Sequence, residues 1–309
     1  STIYRLCEMI GAVSQMRLIM MNPGVNATGL HTIGFGPFHR VNDVRLSTGE
    51  SSYQMIDKQK KLYLLQQVEP EYDHYDPSMA LNALHKAKAV ISITSYVTDR
   101  MLEYADVLLP AAMWTEFSGT WVSAVGQINS FKPIKSMYGS SKSVWKIYRV
   151  LGNLLKCDGF SYHDISELRS DISLLKDGLI DGAKQLIATE IDPPQERNFP
   201  LGQTVGGLHR IGEVSLYRVD PLVRRSVPLQ EQVPTLVAKI NPLTLAKQGF
   251  VDGDKVRLKQ GRRNIVCTLV FDRSIALGGV WLPSGVRDTV LMAGRHDHIV
   301  LEKIVEEEG

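Results

Sequence analysis

Tyr104-Ala105-Asp106-Val107-Leu108-Leu109-Pro110-Ala111-Ala112, followed by Thr115-Glu116-Phe117-Ser118-Gly119-Thr120-Trp121-Val122, is the stretch on which the fold turns. Val107 to Leu109 is continuously apolar, the pattern of a short strand buried inside a parallel sheet covered on both faces. Pro110 has no N–H to give a central ladder, so the strand stops there. Glu116 and Gly119-Thr120 then fall in a loop or at the start of a hairpin.

Working outward towards the N-terminus, the chain alternates. Leu62 to Val68 reads as a strand ending at Glu69-Pro70, and Ser78 to Lys88 as a helix with Met79, Ala83, Leu84 and Ala87 on one side. Ala89 to Thr94 is a second strand and Asp99 to Glu103 a helical turn. Strand, helix, strand, helix, strand predicts parallel βαβ units, an α/β fold. Ligand contacts in such sheets gather at the carboxyl ends of the strands, here Glu69-Pro70, Thr94-Ser95-Tyr96 and Pro110. Before this region, Ile3, Leu6, Cys7, Ile10 and Val13 have helical spacing, Arg17 to Met21 reads as a strand, and Val41 to Lys61 as an extended polar loop.

Towards the C-terminus, Trp121 to Val125, Gly126, and Gln127 to Phe131 predict a small hairpin. Val144, Ile147, Tyr148, Leu151, Leu154 and Leu155 make an amphipathic helix. Asp164 with Glu167 has the form of a helix start, opening a helical extension over 164–191. The proline-rich run through Pro193-Pro194, Pro200 and Gly206-Gly207 predicts a linker over 192–207, dividing an α/β domain (1–191) from a second domain (208–309). That second domain has short strands at Leu236 to Ile240, Lys255 to Lys259, Ile265 to Val270 and Gly279 to Leu282. Asn241-Pro242 opens a helix over Leu243 to Gln248, and Asp252-Gly253-Asp254 is a hairpin-type turn. The pattern is that of a compact β-barrel.

The 309 residues include 35 Lys plus Arg against 33 Asp plus Glu, a net charge of +2. That balance gives no footprint for nucleic acid. No apolar run reaches the ~20 residues that span a bilayer. Ser1-Thr2-Ile3-Tyr4-Arg5 does not read as a secretory signal. Cys7, Cys157 and Cys267 are scattered without a C-x-x-C, which suits a reducing compartment and cannot supply a four-thiolate iron–sulfur site. His296-Asp297-His298 is read as a surface turn, because two ligands at i, i+2 lack partners for a metal. Gly34-Phe35-Gly36 lacks the third glycine of a dinucleotide fingerprint, and no G-x-S-x-G elbow occurs.

The organising stretch resembles a signature of molybdopterin oxidoreductases. It equally resembles their relative, the molybdopterin-oxidoreductase-like iron–sulfur subunit of bacterial NADH:quinone oxidoreductase (NADH dehydrogenase I, respiratory complex I). Val68-Glu69-Pro70-Glu71, Gly119-Thr120-Trp121-Val122, Trp145 to Leu155 and Leu208-His209-Arg210-Ile211-Gly212-Glu213-Val214 resemble that family. Tyr217-Arg218-Val219-Asp220-Pro221-Leu222-Val223-Arg224-Arg225 is more specific to the complex I relative than to working molybdenum enzymes. The resemblance implies a molybdopterin-oxidoreductase-like parallel-sheet domain followed by a small double-psi-type barrel, similar to a molybdopterin dinucleotide-binding domain. It implies a C-terminal portion of the complex I relative, with the iron–sulfur clusters in cysteine-rich domains upstream of it.

The departures matter as much. In the family pattern an Asn, an acidic residue, an Arg and a Gln follow the G-T; here the aligned positions hold Ser123, Val125, Gln127 and Asn129. Gln cannot supply the charge with which Arg holds a phosphate, and Val125 removes an acceptor. Glu69, Ser95, Gly119, Ser123 and Gln127 are therefore expected to be vestigial pterin-facing positions, with no catalytic residue, no metal and no cofactor in this chain. The resemblance implies a non-catalytic structural part of the NADH:quinone oxidoreductase, supporting electron transfer from NADH to quinone. Its partners would be other subunits of the peripheral arm, at the cytoplasmic face of the bacterial inner membrane without direct insertion. The alternative is a fragment of an active molybdopterin enzyme of the formate-dehydrogenase kind. Arg224-Arg225 is expected to pair with acidic residues of a neighbouring subunit or domain.

Overall fold

A computed structural model describes residues 9–11, 13–14, 24–33, 35, 40–41, 44–45, 49–172, 207–233, 235–246, 248–261, 263–286, 288–290, 292 and 298–304. The expected strand at 17–21, the linker at 192–206 and most of the helical extension beyond Ile172 lie outside the described residues. The structure is mixed α/β, with a three-stranded parallel sheet and a closed six-stranded barrel. The chain gathers into two compact units, neither a continuous run of sequence. One collects Ser1–Ser51, Ile93–Ser95 and Leu108–Arg197; the other collects Ser52–Ser92, Tyr96–Val107 and Asn198–Gly309.

Strands β1 (Arg40–Val41) and β2 (Val44–Arg45) form a minimal antiparallel pair, and a helix follows at Ser52–Asp57. The loop expected over 41–61 is thus partly ordered. Ile56 supplies the reason, since it is buried, and the Tyr63 hydroxyl bridges back to Met55 O and Lys60 N at 2.9 Å each.

The sheet runs β3 (Leu62–Gln66), β4 (Ala89–Thr94), β5 (Val107–Pro110) in that order. Helix Pro77–Lys86 connects the first two, with Asp76 at its N-cap accepting from Met79 N at 2.9 Å. It buries Ala80, Leu81, Ala83 and Leu84. Central β4 buries Val90, Ser92, Ile93 and Thr94. The expectation for β5 needs correction, because Val107 is 44% exposed. Among the described residues β5 is an edge strand, and an apolar run alone does not distinguish an edge from a centre.

Further along, β6 (Gly119–Val122) pairs antiparallel with β7 (Ile128–Phe131), with Gly119 opposite Phe131. The helix at Val144–Leu154 leaves Leu154 and Leu155 exposed. The helix Ile165–Asp171 starts where Asp164 accepts from the Ser166 and Glu167 amides.

In the barrel β8 (Leu208–Ile211), β9 (Val237–Ile240), β10 (Lys255–Gln260), β11 (Arg263–Phe271), β12 (Gly279–Trp281) and β13 (His298–Lys303) close in the order β10-β11-β9-β12-β8-β13. β11–β9 and β12–β8 are parallel, and the other pairs are antiparallel. Ile240, Val256, Leu258, Leu269, Val280 and Ile299 fill the centre. Three readings change here. The β10–β11 hairpin turns at Gly261, as the spacing of the two strands around Gly261-Arg262 leads one to expect, whereas Asp252-Gly253-Asp254 does not join two paired strands. Gly253, at φ +91°, instead turns the chain into β10 while its amide donates to Leu269 O. The expected helix over 243–248 is a single 3-10 turn at Pro242–Thr244, and His298 opens a strand, while His296 and Asp297 of the expected surface turn lie outside the described residues.

Candidate functional site

Two groups of residues invite a functional reading, one in each unit. The first is the β6–β7 hairpin. Its turn is closed by Ser123 N donating to Gln127 O at 2.9 Å and Gln127 N donating to Ser123 Oγ at 3.1 Å. Ser123 and Gln127 are therefore brought together at the tip, and Gly119 lies at the far end of β6, where its carbonyl accepts from Arg169 Nη2 at 2.7 Å. Gln127 and Asn129 are exposed, and Val125 is 71% exposed. Ser95 follows β4 within the same unit.

Glu116 lies just before β6 and is buried. Burial pushes its carboxyl up, but hydrogen bonds from Lys135, Met113 N and Tyr138 N outweigh that and hold it below the usual glutamate range. Lys135 Nζ lies 3.2 Å from it. This carboxylate pins the loop ahead of the hairpin.

The second group is built around Glu69, in the other unit. Pro70 at the first helical position and Glu69 at the N-cap start a single turn, Pro70–Asp73. The Glu69 amide donates to Asp73 Oδ2 at 2.7 Å, which holds both carboxylates at the same helix end. Arg224 Nη1 donates to Glu69 Oε2 at 2.9 Å, its Nη2 to Asp73 Oδ1 at 2.6 Å and its Nε to Arg218 O at 2.9 Å. Arg225 Nη2 bonds Glu69 Oε1, and its Nη1 donates to Pro221 O at 2.9 Å. The guanidinium of Arg224 lies over Tyr72 and that of Arg225 over Tyr96, each 4.6 Å from the ring centre. Burial lowers the pKa of Arg224, but the Asp73 and Glu69 carboxylates raise it further still, so it stays charged.

The expectation for Arg224-Arg225 is thus met in kind, with acidic partners from a distant part of this same chain. Glu71, one turn position on, is different. It is buried with no guanidinium on it: its Oε1 accepts from Thr98 Oγ1 at 3.4 Å and its Oε2 has no partner among the described residues. Burial raises its pKa above the ordinary glutamate value, and the Glu69 and Asp73 charges add to that. Burial also raises the Tyr104 hydroxyl, which faces Glu71, Glu69 and Asp73. Three carboxylates meet two arginines here, and Glu71 is the one whose pKa is raised.

Sequence reasoning named Glu69 and missed Asp73, Glu71 and Tyr104. Only their spacing around Pro70 could have signalled them, and spacing does not report burial. Among the described residues no three His, Cys, Asp or Glu side chains gather to hold a metal ion, and no helix is long and apolar enough to cross a membrane.

Residues 1–154 match the family model of molybdopterin oxidoreductase. The 78 kDa subunit of mitochondrial NADH-ubiquinone oxidoreductase from Neurospora crassa is 32% identical over 71 residues, 23% of this chain and 9% of that one. Subunit alpha of F420-dependent formate dehydrogenase 1 from Methanococcus maripaludis is 21% identical over 226 residues, covering 60% of this chain and 33% of its own length. This chain therefore spans a third or less of these relatives. Acetylene hydratase from Pelobacter acetylenicus shares the fold, with a TM-score of 0.55 at 15% identity, over 88% of this chain and 46% of that one.

Proposed function

We propose that this chain, which carries a molybdopterin oxidoreductase domain over residues 1–154, is a non-catalytic structural part of an NADH:quinone oxidoreductase. In this reading it is a portion of the molybdopterin-oxidoreductase-like subunit of complex I, packed with other subunits in the peripheral arm on the cytoplasmic face of a bacterial inner membrane. It supports electron transfer from NADH to quinone without carrying the electrons, which pass through iron–sulfur clusters elsewhere in the parent protein.

One observation carries the reading. At the hairpin, where a pterin dinucleotide's pyrophosphate would need a cation, the chain puts neutral residues, with Ser123, Val125 and Gln127 at the turn and Asn129 on β7, the last three of them exposed. Ser123 and Gln127 spend backbone and hydroxyl groups on each other. Arg224 and Arg225, the cations of the segment that most resembles complex I, are engaged by Glu69 and Asp73. These positions do not fit the cofactor. Similarity to the 78 kDa subunit supports the assembly.

The second reading, part of an active molybdopterin enzyme of the formate-dehydrogenase kind, is favoured by the longer alignment to the formate dehydrogenase subunit. Expressing the full-length parent in cells that make molybdopterin separates the two. The scaffold reading expects no pterin fluorescence after acid release and no molybdenum by mass spectrometry, with co-purification of peripheral-arm subunits. Near-stoichiometric pterin or molybdenum would establish the second reading instead.

A further inference from the structure

The described residues contain two Asp-Gly steps, Asp158-Gly159 and Asp252-Gly253; those at 177–178 and 181–182 lie outside them. An aspartate before glycine has a reaction open to it that needs no partner but water. The amide nitrogen that follows can attack the side-chain carboxyl carbon, because glycine has no Cβ to crowd the approach. In a folded chain the outcome depends on what holds those two groups.

At Asp252-Gly253 both are held. Asp252 Oδ1 accepts from the Phe271 amide at 2.6 Å, and the Gly253 amide donates to Leu269 O at 2.9 Å. Nucleophile and electrophile are engaged by different partners on β11, and the attack must first break both hydrogen bonds.

Asp158-Gly159 is built the opposite way. It sits in the loop that leaves the helix Val144–Leu154, and both residues are exposed. The loop is pinned on either side of the step. The Cys157 amide donates to Gly152 O at 2.9 Å, and Phe160 O accepts from Asn153 Nδ2 at 3.0 Å. The Phe160 ring lies within 2.2 Å of where a Cβ on Gly152 would be. Between these anchors, no hydrogen bond or ion pair among the described residues holds the Asp158 carboxyl or the Gly159 amide. Gly159 has φ +82°, and a Cβ built on it meets nothing within 4 Å, so the space around the peptide is open.

We propose that Asp158-Gly159 is a covalent modification site, at which the folded chain rearranges spontaneously to isoaspartate. Gly159 N attacks Asp158 Cγ; the N–Cγ bond forms, and the carboxyl hydroxyl leaves as water with the amide hydrogen. Water then opens the cyclic imide. Its attack at Cγ restores aspartate. Its attack at the Asp158 backbone carbonyl carbon breaks the bond to Gly159 N and leaves the chain running through Cβ and Cγ. No atom is gained or lost overall. The backbone becomes one carbon longer between Cys157 and Phe160, and the free carboxylate moves to Cα. The site is independent of the assembly role proposed above.

The test ages the intact chain at pH 6 and physiological temperature, beside the same chain unfolded in urea. Trypsin then releases Cys157–Arg169 and Gln248–Lys255. Chromatography with mass spectrometry separates each isoaspartyl peptide from its parent of equal mass, and fragmentation places the change at Asp158 rather than Asp164. In urea both steps should rearrange at similar rates. Folding should slow Asp252 at least about tenfold, the weight of its hydrogen bonds, and leave Asp158 close to its rate in urea. Asp158→Glu, which keeps the charge but would need a larger ring, should abolish the new peak. A folded chain in which Asp158 is slowed as much as Asp252, or yields no isoaspartate, overturns the proposal. So does a peak that survives in Asp158→Glu, because it would arise elsewhere in the peptide.

Discussion

Arg224 and Glu69, 155 positions apart in sequence, meet at 2.9 Å with side chains only 5% and 2% exposed. Charges so far from water are tolerable only together, and each has further hydrogen bonds to complete its shell. Removing one leaves the other uncompensated. Glu69→Ala is expected to destabilise by about 3–5 kcal/mol, and Glu69→Gln, which keeps the shape, by less. Urea unfolding of the unit's tertiary signal measures both, and a loss within noise would show that the pair is not formed.

Glu71 gives a pH signature. Its carboxyl is raised in the folded chain, so the native state holds a proton that the unfolded chain releases. The sign follows: stability is fully present below the ordinary glutamate pKa, ~4.3, and declines as pH climbs through the raised value. Glu71→Gln should flatten that decline and leave the variant relatively more stable on the alkaline side. Unfolding temperature against pH for both proteins checks this.

At Gly253 the strain is purely in the backbone. Its φ is +91°, and a Cβ built there meets nothing within 4 Å. Gly253→Val is expected to cost about 1–3 kcal/mol, because β-branched residues resist positive φ, and Gly253→Asn clearly less. Equal losses in the two variants would point to packing instead.

Gly119 and Gly212 pose the opposite problem, a shortage of space without strain. A Cβ on Gly119 would come within 2.2 Å of the Phe131 ring; on Gly212 it would come within 1.9 Å of the Leu282 carbonyl oxygen. A ring can swing aside, whereas a carbonyl in a barrel wall cannot. Gly119→Ala should cost about 1–3 kcal/mol and Gly212→Ala more, as read from chemical denaturation.

The βαβ alternation was legible because it depends on local period, and the helix at Pro77–Lys86 and strand β4 fall close to where the pattern puts them. The exposure of Val107 was not, since covering a sheet is a property of what packs on it. β8 and β13 were missed as strands. Leu208 to Ile211 includes His209 and Arg210, and β13 opens at His298, polar residues that a barrel tolerates where they pair or point outward. The hairpin's residues could be named from the G-T and its spacing. The buried acids could not, because nothing in Glu69-Pro70-Glu71 tells which carboxylate an arginine will reach from 155 positions away.

We propose the joint of the chain within 192–207 on composition alone, and a protease is the natural probe of it. The ion pairs give that experiment an unexpected form. Arg224 and Arg225 hold Glu69 and Asp73, and Arg263 holds Asp76, so residues on both sides of the joint are clasped within one compact unit. A single nick there cuts the covalent thread but not the clasp. The two pieces would run apart on a denaturing gel and travel together through a sizing column, parting only when acid or salt loosens the buried charges.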